Sequence, residues 1–156
     1  MWFYSSGNLI PYKYIHCYLN IPDTSGRDSL FQAEARRCKN ILDSIEADKS
    51  SSHFCVFDEL YSGTNPQEAV SSASAFMNYL IKNKNVNCML TTHFIELCNN
   101  LDKNKSFKNY HMNTKSINDN KIMYTYKLQS GISFIRGGIK ILEDMNYPKE
   151  ILTNSV

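Results

Sequence analysis

The chain has 156 residues, 42% hydrophobic and 21% charged, an ordinary globular composition with length enough for one domain that buries most of its apolar surface. Its net charge is only +2 and its Lys and Arg are spread thinly, so no basic stripe is present to neutralise a row of phosphates, and charge gives no support to direct nucleic-acid binding by this chain alone. No apolar run approaches a membrane span, and the opening "MWFYSSGNLIPYKYIHCYLN", broken by Gly7, Asn8 and Pro11, lacks the basic n-region and clean apolar core of a signal peptide.

In chain order, Lys13 to Leu19 is rich in Tyr and Ile and predicts a strand, and "NIPDTSGRD" predicts a loop. From Ser29 the period changes. Phe31, Ala35, Cys38, Leu42 and Ile45 recur at three- and four-residue steps, an amphipathic helix that Asp28 or Ser29 can cap. "HFCVF" is a short apolar run suited to a buried parallel strand. Asn65, Pro66 and Glu68 then form a helix start: Asn65 as cap, Pro66 at the first helical position, Glu68 able to reach back. Ala69, Val70, Ala73, Phe76, Met77, Leu80 and Ile81 share the apolar face of that helix.

"VNCMLTTH" predicts a second buried strand ending in His93, and "FIELCNNL" a helix with Phe94, Leu97, Cys98 and Leu101 on one face. Strand, helix, strand, helix in this order predicts an α/β fold, mainly a parallel sheet flanked by helices. Past Ser106, "FKNYHM" and "IMYTYKL" predict a hairpin around the polar loop "NTKSINDNK". "SGISFIRGG" is a glycine-rich connection, and a short helix from Ile139 to about Met145 stops before Pro148. No internal repeat or low-complexity tract is present.

Cysteine usage points to a reducing, intracellular compartment, nucleus or cytoplasm being left open. Cys17, Cys38, Cys55, Cys88 and Cys98 are odd in number and form no CxxC; Cys55 and Cys88 fall in strand-like runs, Cys38 and Cys98 on apolar helix faces. The competing reading is a zinc site from His53, Cys55, His93 and Cys98, at a spacing unlike a finger or knuckle.

Chemistry concentrates in "HFCVFDELYSGTNPQEA". Carboxylates are rarely buried without a partner, so two acids at the end of an apolar strand call for one. Asp58 suits Mg²⁺ held through water, and Glu59 suits a carboxylate that polarises a water for attack on a γ-phosphate. The bland alternative is that both cap a solvated turn. His93, ending the next strand, should reach the same sheet edge, where an imidazole can contact a γ-phosphate; alone, such a His is more often structural. The head of the helix near Ser29 favours anions through its unpaired N–H groups, with Arg27 and the Ser29 hydroxyl beside it, though an ordinary capped start explains the same residues.

Together these segments resemble the C-terminal ATPase domain of the MutS family of DNA mismatch repair proteins, within the ABC class of P-loop ATPases. "CVFDEL" resembles its Walker B strand, which implies Asp58 as the magnesium carboxylate and Glu59 as the catalytic one. "YSGTNPQEA" is similar to the segment after Walker B, an interface loop in which Ser62, Gly63, Thr64 and Asn65 take part. "TTHF" resembles the histidine switch, implying His93 at the γ-phosphate. "SGRDSLFQAEA" resembles the signature segment, where Ser29, Phe31 and Glu34 keep the family's order and Arg27 and Ser29 would meet a nucleotide held by a second chain. "SGISFIRGGIKILEDMNYPKEIL" resembles the family's closing stretch, so the likeness runs from about Tyr4 to Leu152. No LSGGQ-like signature of transporter-type ABC domains occurs.

The departures shape the expectation. No GxxxxGK[ST] is present, and none of the six glycines precedes a Lys-Ser or Lys-Thr pair. That loop supplies the backbone donors and lysine for the β- and γ-phosphates, and in the family it lies upstream of the segment that "GNLIPYKYIHCYLN" resembles. The mismatch-reading, lever and clamp domains have no counterpart either, and one extra residue separates Ser25-Gly26 from Ser29. The resemblance thus implies a partial ABC-type P-loop NTPase fold over residues 1–156, a single, N-terminally truncated MutS-like ATPase domain with a C-terminal β-hairpin and short helix. It implies ATP and Mg²⁺ as cofactors and a MutS-like ATPase subunit as homo- or heterodimer partner. DNA would be reached through domains missing here, and no membrane. ATP hydrolysis is expected of the intact family protein and not of this chain alone. The alternative is a non-enzymatic dimerisation or regulatory remnant that pairs with a complete MutS-like ATPase. An unrelated α/β hydrolase-like domain would need a GxSxG nucleophile, which is absent.

Overall fold

Parallel pairing builds one sheet: β1 (Tyr14–Tyr18), β2 (His53–Asp58) and β3 (Val86–Thr91) lie in the order β1-β2-β3. The computed structural model describes residues 7, 9–19, 29–117, 121–135 and 137–153. They divide between two compact units, Met1–Phe107 and Lys108–Val156. The loop predicted over "NIPDTSGRD", Arg27 and Asp28 included, lies outside the described residues, Ser29 apart.

In the first unit α1 (Leu30–Ala47), α2 (Pro66–Leu80) and α3 (Ile95–Asp102) connect and follow the strands. The register aligns Tyr18 with Phe57 and Leu90, and His16 with Cys55 and Cys88, on one face of the sheet. Cys38, Ile41 and Ile45 of α1, Ala69, Val70, Ala73, Phe76, Met77 and Leu80 of α2, and Leu97 and Leu101 of α3 pack with Tyr18, Cys55, Phe57 and Val86 into one core. Phe57 meets Phe76 edge-on at 5.4 Å between ring centroids, the arrangement that brings a positive ring edge to a negative face.

The opposite sheet face departs from expectation. "HFCVF" was expected to be buried throughout, yet only alternate residues of β2 are buried, with Phe54 and Val56 half-covered. Beside them Ile15 is 69% and Met89 62% exposed. Parallel sheets ordinarily have both faces covered; among the described residues only one is. The outer edge of β3 likewise pairs with no strand among the described residues.

The helix ends follow local chemistry. Ser29 caps α1: its Oγ accepts from Gln32 N at 3.3 Å, and Ser29 N donates to Gln32 Oε1 at 2.9 Å, a reciprocal capping box. Asn65 Oδ1 accepts from Glu68 N at 2.9 Å at the start of α2, where Pro66 opens the helix. Glu68 does not reach back to the cap's backbone as expected. Its carboxylate instead accepts from Thr64 Oγ1 at 2.7 Å, the hydroxyl of the residue before the cap.

At the amino end of the sheet, His53 is fully buried. Its Nε2 lies 2.9 Å from the Asp48 carbonyl at the C-terminus of α1, and its Nδ1 is 3.0 Å from His16 Nε2. A carbonyl only accepts, so Nε2 of His53 donates, and Nδ1 is left to accept from His16 when both rings are neutral. His53 begins β2 while His93 lies past the end of β3, at opposite ends of parallel strands. The zinc set of the competing reading therefore does not gather. All five cysteines are free thiols, Cys38 and Cys55 buried and Cys17 exposed. Burial pushes Cys38 up to about 11 and Cys55 up to about 12, which leaves both inert.

The second unit pairs β4 (Tyr110–Ile117) with β5 (Lys121–Ser130) antiparallel, with an irregularity between Met112 and Thr114, followed by α4 (Gly137–Asp144) and α5 (Lys149–Thr153). The hairpin is longer than predicted: "NTKSI" belongs to β4 rather than to the loop. Asn146, at φ 58°, ends the α4 region in the left-handed conformation, with Tyr147 N on Leu142 O at 3.0 Å. No helix among the described residues is long and apolar enough to cross a membrane.

Candidate functional site

Two chain segments, Asp58–Glu59 at the end of β2 and Thr91–His93 at the end of β3, meet at the carboxyl edge of the parallel sheet, where open α/β sheets bind ligands. Asp58 is the last residue of β2 and pairs in register with Thr91, the last residue of β3. The Thr91 hydroxyl donates to Asp58 Oδ1 in a short hydrogen bond. The sheet ladder continues one step further, with Glu59 N donating to Thr91 O at 3.1 Å.

The chain then turns sharply. Glu59 (φ 52°) and Tyr61 (φ 58°) both adopt left-handed backbone, a conformation that side chains other than glycine's resist. Between and beside them Leu60 and Tyr61 are buried, so packing holds the bend. The bend lets the Glu59 carboxylate meet His93: Nδ1 lies 2.6 Å from Glu59 Oε2, and the His93 backbone N donates to the same oxygen at 3.3 Å. A carboxylate only accepts, so the proton of that short contact sits on Nδ1. Nε2 can then donate to an anion only when the ring carries a second proton. Both bonds fall on Oε2, and Glu59 Oε1 makes no hydrogen bond among the described residues. Burial pushes the Cys98 thiol on α3 above its ordinary value, and the Glu59 carboxylate adds to the shift.

His93 lies two residues past the end of β3 rather than on the strand, and its ring packs against Phe94 at 4.2 Å between centroids. That offset carries the imidazole to the residue after β2 rather than to Asp58.

The remaining candidates are engaged locally. The Ser62 hydroxyl donates to Glu34 Oε1 and the Gly63 N–H to Glu34 Oε2, each at 3.1 Å. Thr64 donates to Glu68 and Asn65 caps α2. Ser29 accepts within its own capping box and keeps its hydroxyl proton as a donor. It makes no hydrogen bond to Asp58, Glu59 or His93. Arg27 lies outside the described residues. Glu34, unassigned in the sequence reading, is only 3% exposed. Its signal was available: it falls on the same helical face as Cys38, Ile41 and Ile45, a carboxyl in an apolar row.

The site can hold a hydrated divalent cation at Asp58 and orient a water near Glu59. Oxygen donors of this kind, a carboxylate with a hydroxyl beside it, suit Mg²⁺. The 156 residues offer no glycine-rich loop for the phosphates themselves.

Comparison with known proteins places these residues in context. The family model for MutS domain V matches residues 5–156. The chain is 32% identical over 128 residues to the DNA mismatch repair protein MutS of Bacteroides fragilis (strain YCH46), covering 80% of this chain and 14% of that protein. It is 32% identical over 140 residues to MutS protein homolog 4 of Mus musculus and 31% over 140 residues to that of Homo sapiens, in each case 85% of this chain and 14% of the relative. The chain therefore spans about one seventh of the length of these relatives.

Proposed function

The chain belongs to the MutS family, and we propose that it is the ATP-binding module of a MutS-like DNA mismatch repair protein, a partial ABC-type P-loop ATPase fold over residues 1–156. The observation that carries this reading is the convergence of Asp58 with Thr91, and of Glu59 with His93 at 2.6 Å, on the carboxyl edge of one parallel sheet. Bound ATP with Mg²⁺ would supply the activated phosphoryl group and the cation that neutralises its charge.

The chain's own residues then divide the work. Asp58 would hold the cation, through water as Mg²⁺ prefers, with the Thr91 hydroxyl fixing its carboxylate through Oδ1. Glu59 orients a water through Oε1, the oxygen left by the His93 contact. His93 anchors Glu59 through Nδ1 and, with a second proton on the ring, can donate from Nε2 to an anion. The backbone donors that grip the phosphates come from a loop not among these 156 residues, so the isolated chain turns ATP over weakly or not at all. Ser29 at the head of α1, with Arg27 before it, reaches a nucleotide held by a complete MutS-like subunit. Ser62 to Asn65 would face such a partner, and DNA would be contacted through other domains of the intact protein.

The absence of a GxxxxGK[ST] favours a second reading, a non-enzymatic module that pairs with a complete MutS-like ATPase and modulates it. A fluorescent ATP analogue titrated with Mg²⁺ separates the two. The first reading predicts little saturable binding by the chain alone. It also predicts extra Mg²⁺-dependent binding in complex with a complete MutS-family ATPase, weakened at least about tenfold by Asp58→Asn. Partner binding indifferent to Asp58→Asn, Glu59→Gln and Ser29→Ala would leave only the dimerisation reading.

A further inference from the structure

We propose that Glu34 is a positioning residue that ties the head of α1 to the bend carrying Glu59, so that the Ser29 end of the helix and the Glu59–His93 pair move as one body. Its carboxylate sits on the second turn of α1 and is nearly fully buried. It accepts from Ser62 Oγ with one oxygen and from Gly63 N with the other, a bidentate grip on the two residues that follow the left-handed Tyr61. A carboxyl buried beside apolar residues persists only where donors satisfy it; here the loop supplies two.

Packing makes the same connection independently. A Cβ on Gly63 would lie 2.6 Å from Leu30 Cγ and 2.9 Å from Leu30 Cβ. Leu30 directly follows the Ser29 cap, so the loop backbone is seated against the first residue of the helix, and only glycine allows that approach. The buried Tyr18 phenol, which ends β1, lies beside the Glu34 carboxylate. Burial raises its pKa and the Glu34 carboxylate raises it further, which sets Glu34 where β1, α1 and the loop meet.

The consequence follows from what each end touches, and in that clause alone the inference rests on the proposed nucleotide reading. Ser29 would serve a nucleotide on the partner, Glu59 one on its own chain. A rigid link between them lets occupancy of one site be felt at the other, with Glu34 as the joint. Strain supports the need for a joint. Two left-handed non-glycine residues within three positions straighten readily unless something over-determines them, and the grip on residues 62 and 63 holds the downstream end of that bend.

The test needs no nucleotide. Amide exchange and ring resonances are measured by NMR on the 156-residue chain at fixed pH. Glu34→Ala should speed exchange of the Gly63 amide at least about tenfold, shift the His93 ring resonances, and shift the Ser29 and Gln32 amides of the capping box. Glu34→Gln should restore all three, since its amide oxygen can take the Gly63 N–H while its NH₂ donates to Ser62 Oγ. Ile45→Ala, at the far end of α1, controls for lost stability and should leave His93 in place. Unmoved His93 resonances in Glu34→Ala, an equal shift in Ile45→Ala, or no rescue by Gln overturns the proposal. Should Glu34→Ala not fold, Ser62→Ala decides: it removes one donor from an exposed residue and should shift His93 in part, and no shift overturns the link. A failed link leaves the nucleotide reading standing, and absence of ATP binding leaves the link standing, so the two are judged apart.

Discussion

Gly63→Ala is the sharpest perturbation of the bend. The new methyl would sit 2.6 Å from Leu30 Cγ and 2.9 Å from both Leu30 Cβ and Cδ2, against roughly 3.5–4.0 Å for a relaxed carbon pair. Rotating Leu30 cannot relieve all three contacts, because its Cβ is fixed to the α1 backbone. Either the core accepts the overpacking, at about 1–3 kcal/mol, or the loop retreats by roughly 1 Å. Retreat carries the two 3.1 Å bonds to Glu34 beyond hydrogen-bond range and strands a buried carboxyl, also at about 1–3 kcal/mol. Either way a loss of about 1–3 kcal/mol corresponds to roughly 5- to 140-fold in the folding constant. Urea unfolding followed by circular dichroism reads it as a lower midpoint at constant slope. Gly138→Ala is the contrast, since nothing lies within 4 Å of a Cβ there; in helix α4 it should be neutral or add about 0.5–1 kcal/mol. A Gly63→Ala midpoint within about 0.5 kcal/mol of wild type would refute the seating of this loop against α1, and with it the packing half of the Glu34 argument.

Acid titration, thiol labelling and core truncation test other parts of the fold. Burial lowers the His16 pKa, and the neighbouring His53 and Arg37 lower it further. The folded chain therefore binds fewer protons than the unfolded one just below about pH 6.5. Stability present above that pH is lost as the pH falls toward the folded value, by at most about 1.4 kcal/mol per pH unit for one proton. Urea midpoints should drop between about pH 7.5 and 5.5, and His16→Gln should flatten the drop; parallel curves for the two proteins would contradict the His16–His53 pair. Asp48 is lowered by its hydrogen bonds to Lys13 and then Ser51, so its contribution persists through that window and fades only as the pH falls below the ordinary carboxylate range. Maleimide at about pH 8 should label Cys17 first, while Cys38, raised to about 11, exposes only about a thousandth of its thiolate even where reagent can reach it; labelling of Cys38 and Cys55 at the rate of Cys17 would show an open core. Phe57→Ala removes a fully buried ring that meets Phe76 and should cost about 3–5 kcal/mol, enough to unfold a marginal unit at 37 °C; a cooperative melt near the wild-type temperature would contradict the core assignment.

What the sequence disclosed follows from which forces act locally. The caps at Ser29 and Asn65 were legible because a side chain within three residues satisfies an exposed N–H, and nothing distant competes. The strands ending at Asp58 and Thr91 were legible because short apolar runs alternating with helical periods admit few topologies. Register did the rest: once β2 and β3 pair in parallel, Asp58 and Thr91 must end side by side, and His93 cannot be far from Glu59. The left-handed turn at Glu59 was not legible, since neither Glu59 nor Tyr61 favours that conformation; buried Leu60 and Tyr61 impose it from the tertiary side. The Glu34 grip needs contacts 28 and 29 residues apart, and the sequence offered only a carboxyl among apolar neighbours. The reach of β4 through "NTKSI" was missed because an exposed hairpin can pair polar residues as readily as apolar ones. The open face around Ile15, Val56 and Met89 was missed for the opposite reason, since apolar runs of this kind predict cover on both sides.

The central claim is that Asp58, Glu59 and His93 form half of a nucleotide site whose phosphate grip comes from elsewhere. ATP turnover measures it most directly, comparing the pure 156-residue chain with the same chain fused to, or mixed with, a MutS-family segment carrying a GxxxxGK[ST] loop. No appreciable turnover is expected of the chain alone, and measurable turnover with the loop, abolished by Glu59→Gln. Robust hydrolysis by the chain alone, or restored hydrolysis that survives Glu59→Gln, would contradict it.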